Sequence, residues 1–126
     1  MKEKRKIVIV DDERDFCHFV KMNLEATGDF EVSVCCDSTE SVRHVKTHHP
    51  DLILLDILMP GLSGPEITEK LRDNIDTREI PVIFLTAVAT EKDTEERGNV
   101  IGGNYVVAKP VKINKLRGVI NKVLGS

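Results

Sequence analysis

The chain has 126 residues, a net charge of −3 and three cysteines, and its composition is ordinary for a soluble globular protein. We interpret residues 1–126 as one domain, long enough to bury a real hydrophobic core. No apolar run approaches the roughly 20 residues that cross a bilayer, and the basic first residues lack a cleavage site, so we expect a cytoplasmic protein without membrane contact. The weak negative charge argues against nucleic-acid binding by this domain. Three cysteines without zinc spacing indicate buried free thiols.

Strand-like and helix-like segments alternate through the first 50 residues. An apolar β-branched run at 7–10 is followed by apolar residues at helical spacing, which end at Gly28. These residues are Phe16, Phe19, Val20 and Leu24. Residues 30–34 alternate with period two, which is typical of an edge strand. A helix between Asp37 and Pro50 follows.

Residues 51–66 contain the most informative stretch. The apolar run 52–55 is typical of a strand buried on both faces, and Asp56 stands at its end. Pro60 breaks the strand, and Ser63 with Glu66 has the spacing of a helix capping box. Because ligands bind at the carboxyl ends of parallel strands, this spacing puts Asp56 at the functional edge of the sheet.

The rest of the chain repeats the alternation twice more. Residues 82–85 form a second fully apolar strand that ends in Thr86, and residues 105–108 form a last strand that ends at Lys109. A final helix follows. Residues 90–97, between the two strands, contain no apolar position, so a helix there cannot be anchored by hydrophobic burial.

This alternation predicts an α/β fold of the doubly wound, three-layer type, with five parallel strands and five helices. The continuous apolar runs that start at Ile7, Leu52 and Val82 belong in the middle of the sheet. The alternating strand that starts at Phe30 belongs at its edge.

Charged residues follow three of the predicted strands: Asp11 and Asp12 follow the first, Asp56 the third and Lys109 the fifth. In a parallel sheet they gather at one edge. Three carboxylates about 5 Å apart would repel by about 3 kcal/mol per pair at an effective dielectric near 20. A divalent cation would relieve that repulsion, and hard oxygen ligands open to solvent suit Mg²⁺. The structural alternative is that Asp11 caps the first helix and Asp56 lies in a solvated turn.

Four motifs in order resemble the receiver domain of two-component response regulators, over nearly the whole chain. They are Val10-Asp11-Asp12-Glu13, Asp56-x-x-Met59-Pro60-x-x-x-Gly64, Thr86-Ala87 and Lys109-Pro110. The resemblance implies a flavodoxin-like sheet with strand order 2-1-3-4-5. It also implies a phosphorylation-dependent switch in a phosphorelay, which takes a phosphoryl group from a sensor histidine kinase or a histidine phosphotransfer domain.

The same resemblance implies a role for individual residues. Asp56 would be the phosphoacceptor, and Mg²⁺, or Mn²⁺, would be held by Asp56, Asp12, the backbone carbonyl of Leu58 and, through water, Asp11. Thr86, Ala87 and Lys109 would bind the phosphoryl group, and the bond before Pro110 would be cis. The domain would catalyse only its own phosphorylation and slow dephosphorylation. A homodimer could form through the fourth and fifth helices and the fifth strand.

One position departs from the family pattern. Receivers usually have an aromatic switch residue three positions before the lysine, where this chain has Val106, and Tyr105 comes one residue earlier. In a regular strand this offset turns Tyr105 to the other face, so we expect Thr86 to signal without an aromatic rotation. A bulge near Gly102 is the alternative.

Three other functions fit the sequence less well than a receiver. An aspartate-nucleophile phosphatase typically has a second Asp two residues after the nucleophile, where this chain has Leu58. A nucleotide-binding domain needs a glycine-rich loop after the first strand, and Asp11-Asp12-Glu13 is the opposite. A degenerate receiver that only docks would normally have lost Asp56 or Lys109.

Overall fold

The computed structural model describes residues 3–125. Its strands, numbered in chain order, are β1 (Arg5–Val10), β2 (Phe30–Cys35), β3 (Leu52–Asp56), β4 (Val82–Thr86), β5 (Val100–Ile101) and β6 (Asn104–Ala108). Its α-helices are α1 (Arg14–Glu25), α2 (Ser41–His48), α3 (Gly64–Arg72), α4 (Glu91–Glu96) and α5 (Ile113–Leu124). A short 3-10 turn, Ser38–Glu40, precedes α2.

The sheet order is β2-β1-β3-β4-β6-β5, and all neighbours are parallel except β5 and β6. The predicted flavodoxin-like fold is therefore confirmed, with β6 in the place of the predicted fifth strand. The additional strand β5 has two residues and folds back on β6 through Gly102-Gly103, both with positive φ. Sequence patterning missed it because two residues are too short to show a period.

The core lies in two layers, one on each face of the sheet. Alternate residues of β1 point to opposite faces, so Ile7 and Ile9 pack with α1 and α5, whereas Val8 and Val10 pack with α2 and α3. Strands β1, β3 and β4 are central, as their apolar runs predict, and β2 is at the edge.

Two local expectations change in the structure. Phe19, which shares helical spacing with the core residues of α1, is 46% exposed because that helix buries a narrower face, formed by Cys17, Val20 and Leu24. Helix α4 has no apolar residue, as expected, but one of its own polar residues, Thr94, is buried.

Within residues 3–125, no helix is long and apolar enough to span a membrane. Cys17 and Cys35 are buried free thiols, as predicted, and Cys36 is a half-buried one.

Candidate functional site

Four parallel strands end at the same edge of the sheet, and the site residues lie at or just after those ends. Strand β1 leads into Asp11 and Asp12, β3 ends in Asp56, β4 ends in Thr86, and β6 leads into Lys109. The register aligns these ends: Asp56 is opposite Leu85, and Thr86 is opposite Ala108. The topology thus brings together residues that lie up to about a hundred positions apart in the chain.

Three carboxylates form the acidic part of the site. Each of Asp11, Asp12 and Asp56 offers an oxygen, and these three oxygens lie within 4.8 Å of one another. Asp11 is fully buried and Asp56 is 7% exposed, whereas Asp12 faces solvent. Burial, followed by the charge of Asp11, raises the pKa of Asp56 to about 6, although Lys109 opposes the shift. Burial also raises the pKa of Asp11.

Lys109 supplies the positive charge of the site. Its Nζ lies 2.6 Å from Oδ2 of Asp11, 3.1 Å from Oε1 of Glu13 and 3.7 Å from Oδ2 of Asp56. It also lies 4.4 Å from the ring centre of Phe16. Burial lowers the pKa of Lys109, but the contacts with Asp11 and Glu13 outweigh burial and raise it overall. The lysine is therefore a fixed cation at neutral pH.

Thr86 and the residues after it form the opposite wall. The hydroxyl of Thr86 accepts a hydrogen bond from the backbone N–H of Val88 at 3.0 Å, and its carbonyl accepts one from the N–H of Lys109 at 2.7 Å. An open pocket of about 280 Å³ lies between this wall and the carboxylates. Its lining includes Asp56, Thr86, Ala87, Lys109 and, at the rim, Leu58.

The loop after Asp56 is closed tightly against β3. The N–H of Gly64 donates to the carbonyl of Ile57 at 2.8 Å, and a Cβ on Gly64 would lie only 2.6 Å from the carbonyl oxygen of Asp56. The predicted capping box of Ser63 and Glu66 starts α3 directly afterwards. Glycine at position 64 is thus what lets α3 begin beside the phosphoacceptor candidate.

The remaining residues named from the sequence have clear places. The peptide bond between Lys109 and Pro110 is cis. Strand β6 pairs with β4 in regular register, so Tyr105 packs against the α1/α5 layer and Val106 against the α2/α3 layer. Tyr105 therefore lies on the face opposite to the usual position of the aromatic switch residue.

Sequence reasoning missed Glu13, Phe16 and Ser38. Glu13 and Phe16 contact Lys109 from the start of α1. Glu13 could have been recognised as a site residue, because it directly follows Asp12 in the first motif. Ser38 bonds to the loop after β3, and no sequence pattern marks it.

The side chains present fit a divalent cation. Oδ2 of Asp11 is buried and, despite its short approach to Lys109, accepts no hydrogen bond of ordinary geometry from the described residues. Burial raises the pKa of both Asp11 and Asp56, so the surrounding residues only partly stabilise their ionised forms. All its ligands are hard oxygens, and one of the three, Asp12, is open to solvent, which suits Mg²⁺.

Comparison with known proteins decides the family. The profile of the "Response regulator receiver domain" family matches residues 7–121. The chain belongs to this family. It is thus a phosphorylation-dependent signalling domain of two-component systems, and receiver domains interact with histidine kinases or phosphotransfer proteins.

Relatives of two lengths match this receiver domain. It is 35% identical over 121 residues to the polar-differentiation response regulator DivK of Brucella ovis, covering 96% of this chain and 97% of DivK. It is 32% identical over 124 residues to the response regulator Rre1 of Synechocystis, covering 98% of this chain and 53% of Rre1. The receiver domain thus spans about half of the length of some curated relatives and nearly all of others.

A solved structure shows the same fold. The receiver domain of the sensor histidine kinase PA1611 of Pseudomonas aeruginosa, with a magnesium ion coordinated in its active-site cleft, has a TM-score of 0.81 and 28% identity. The match covers 98% of this chain and all of that one.

Proposed function

We propose that this receiver domain accepts a phosphoryl group on Asp56. The observation that carries the proposal is the convergence of Asp56, two further carboxylates, Lys109 and Thr86 on one open pocket. Phosphoryl transfer has a loose transition state, so catalysis needs mainly positioned groups and charge neutralisation. These residues provide both.

In the proposed reaction, a carboxylate oxygen of Asp56 attacks the phosphorus of a phosphohistidine in line. An O–P bond forms as the P–N bond breaks, and the imidazole leaves with its electron pair and is protonated. Lys109 neutralises an equatorial phosphoryl oxygen, and the hydroxyl of Thr86 and the backbone N–H of Ala87 donate to the others. Later attack by water releases inorganic phosphate and restores the carboxylate.

Asp11, Asp12, Asp56 and the carbonyl of Leu58 would hold Mg²⁺ or Mn²⁺. The metal supplies charge stabilisation of the phosphoryl oxygens when bound. Asp11 also pairs with Lys109 and so holds the lysine at the pocket, which leaves Asp56 free to react. The magnesium ion coordinated in the active-site cleft of the PA1611 receiver supports a divalent cation at the corresponding cleft.

We propose that the phosphodonor is a sensor histidine kinase or a histidine phosphotransfer domain. The transfer takes place in the cytoplasm, and residues 1–126 act as one receiver unit. The domain would catalyse only its own phosphorylation and slow dephosphorylation, and would not bind nucleic acid itself. We further propose that self-association, where it occurs, uses the face of α4, α5 and β6.

Acetyl phosphate and mass spectrometry test the proposal. We expect one phosphoryl group per chain in the presence of Mg²⁺, little in the presence of a chelator, and none in Asp56→Asn. Asp51→Asn is the matched control, because Asp51 lies at the other end of β3 and pairs with Arg5. Labelling that persists in Asp56→Asn would contradict the proposal, and turnover of many phosphoesters would indicate a phosphatase instead.

A further inference from the structure

The loop between β3 and α3 is held at two points. At its base, the N–H of Gly64 donates to the carbonyl of Ile57 at 2.8 Å. At its crest, the hydroxyl of Ser38 donates to the carbonyl of Pro60 at 2.6 Å and accepts from the N–H of Leu62 at 2.9 Å. Leu58, whose carbonyl is a proposed metal ligand, lies between these two points.

Ser38 is suited to hold the crest. It is 3% exposed, and one hydroxyl can both donate and accept, so it binds two backbone groups of the loop at once. Its own position is fixed by its neighbours in the 3-10 turn. The side chain of Asp37 accepts from the N–H of Thr39 at 3.0 Å, and the hydroxyl of Ser41 donates to the carbonyl of Ser38 at 2.6 Å.

Gly61 lets the loop approach this hydroxyl. Its φ is +87°, and a Cβ there would lie 2.7 Å from Oγ of Ser38 and 3.2 Å from Cγ2 of Thr39. The close approach of the loop to Ser38 therefore requires glycine at position 61, because a side chain there would clash with the serine and move the loop away from it.

We propose that Ser38 is a positioning residue for the metal site, which acts by fixing the segment that carries the carbonyl of Leu58. The inference rests on the proposed function. If the hydroxyl is removed, the carbonyl of Pro60 and the N–H of Leu62 lose their partner in the 3-10 turn, and the crest of the loop is no longer tied to the rest of the domain. The carbonyl of Leu58 is then no longer preorganised, whereas Asp11, Asp12 and Asp56 stay on their strand ends.

Magnesium titration tests this without phosphorylation. We expect calorimetry with MgCl₂ to show an affinity about 3- to 10-fold weaker in Ser38→Ala, and amide exchange at Leu62 to be faster. In labelling with acetyl phosphate, the Mg²⁺ concentration at half-maximal rate should rise by the same factor, while the rate at saturating Mg²⁺ stays within about twofold. Ser38→Thr, which keeps the hydroxyl, should restore most of the affinity.

Thr77→Val is the matched control, because it removes a buried hydroxyl that donates to the carbonyl of Leu71 at 2.7 Å, at the other end of α3 from the loop. It should lower stability and leave Mg²⁺ affinity unchanged. Gly61→Ala disrupts the contact from the loop side and should weaken Mg²⁺ binding as Ser38→Ala does, so the inference is testable even if Ser38→Ala does not fold.

Unchanged Mg²⁺ affinity in Ser38→Ala or Gly61→Ala, or an equal loss in Thr77→Val, would overturn the positioning role. If the unaltered protein itself neither bound Mg²⁺ nor became labelled, the proposed function would fail instead. The two failures are thus distinguishable.

Discussion

Nζ of Lys109 lies 2.6 Å from Oδ2 of the fully buried Asp11. It lies 3.7 Å from Asp56, so in this structure the lysine neutralises Asp11 first. A charge-assisted hydrogen bond from Lys109 to Oδ2 of Asp56 itself would need the two atoms about 1 Å closer than they are.

Replacement of Lys109 tests how far the cation stabilises the fold. Without it, Asp11 and Asp56 stay buried without a positive partner, so Lys109→Met should lower the free energy of unfolding by about 3 kcal/mol near neutral pH in the absence of metal. Urea unfolding measures this. Lys122→Met is the control, because Lys122 makes no ion pair with residues 3–125. A loss below about 1 kcal/mol would contradict a stabilising role.

Asp56 should make metal-free stability depend on pH. Its pKa in the folded protein, about 6, is above its ordinary value of 3.8, so its ionised form is penalised by folding. The penalty is absent at low pH, grows as pH rises from 3.8 through about 6, and is complete above that range. Asp56→Asn should therefore stabilise the fold by about 1–3 kcal/mol near pH 8, and the gain should vanish near pH 4. A gain that is equal at both pH values would mean that the substitution acts through packing.

The aspartyl phosphate should decay slowly. Leu58 and Val88 stand at the pocket rim, 66% and 77% exposed, and neither can orient an attacking water molecule. Leu58→Asn should speed loss of the phosphoryl group several-fold, followed by mass spectrometry after donor removal. Ile75→Asn, at an equally exposed apolar residue before β4, is the control. Fast decay that Leu58→Asn leaves unchanged would refute the explanation.

Helix α4 should be the most salt-sensitive element. Its contacts with α5 are ionic: Glu91 lies 3.1 Å from Lys112 and 3.0 Å from Lys115, and Glu95 also pairs with Lys115. These residues are partly exposed, and screening at about 1 M salt shortens the Debye length to about 3 Å. Amide exchange in α4 should quicken in high salt and in Lys115→Gln, but not in Lys122→Gln. Exchange as slow as that of β4 under all conditions would show that these ion pairs do not control the opening of α4.

Tyr105 should report little on activation. It is the only tyrosine, the chain has no tryptophan, and it packs on the α1/α5 face of a regular strand. A phosphoryl mimic with Mg²⁺ should therefore leave its fluorescence nearly unchanged. A large change that is lost in Thr86→Ala would show that Tyr105 does act as a switch.

The periodicity of the sequence determined the main elements and their layers. Buried strands were recognisable because β1, β3 and β4 are apolar on both faces, and the start of α3 because Ser63 and Glu66 satisfy the first turn locally. The residues of the site could then be predicted from the strand ends, since the carboxyl ends of parallel strands lie at one edge of the sheet. These features depend on neighbours within a few positions, which a linear pattern records.

Tertiary structure alone decided the contacts between distant segments. Lys109 lies closer to Asp11, 98 positions away in the chain, than to Asp56. Ser38 bonds to Pro60, 22 positions away. Both contacts depend on how separate strand ends and loops pack together. The same holds for the anchoring of α4 by the lysines of α5. Hydrogen bonds and ion pairs of this kind carry no periodic signal, because their partners are adjacent in space and not along the chain.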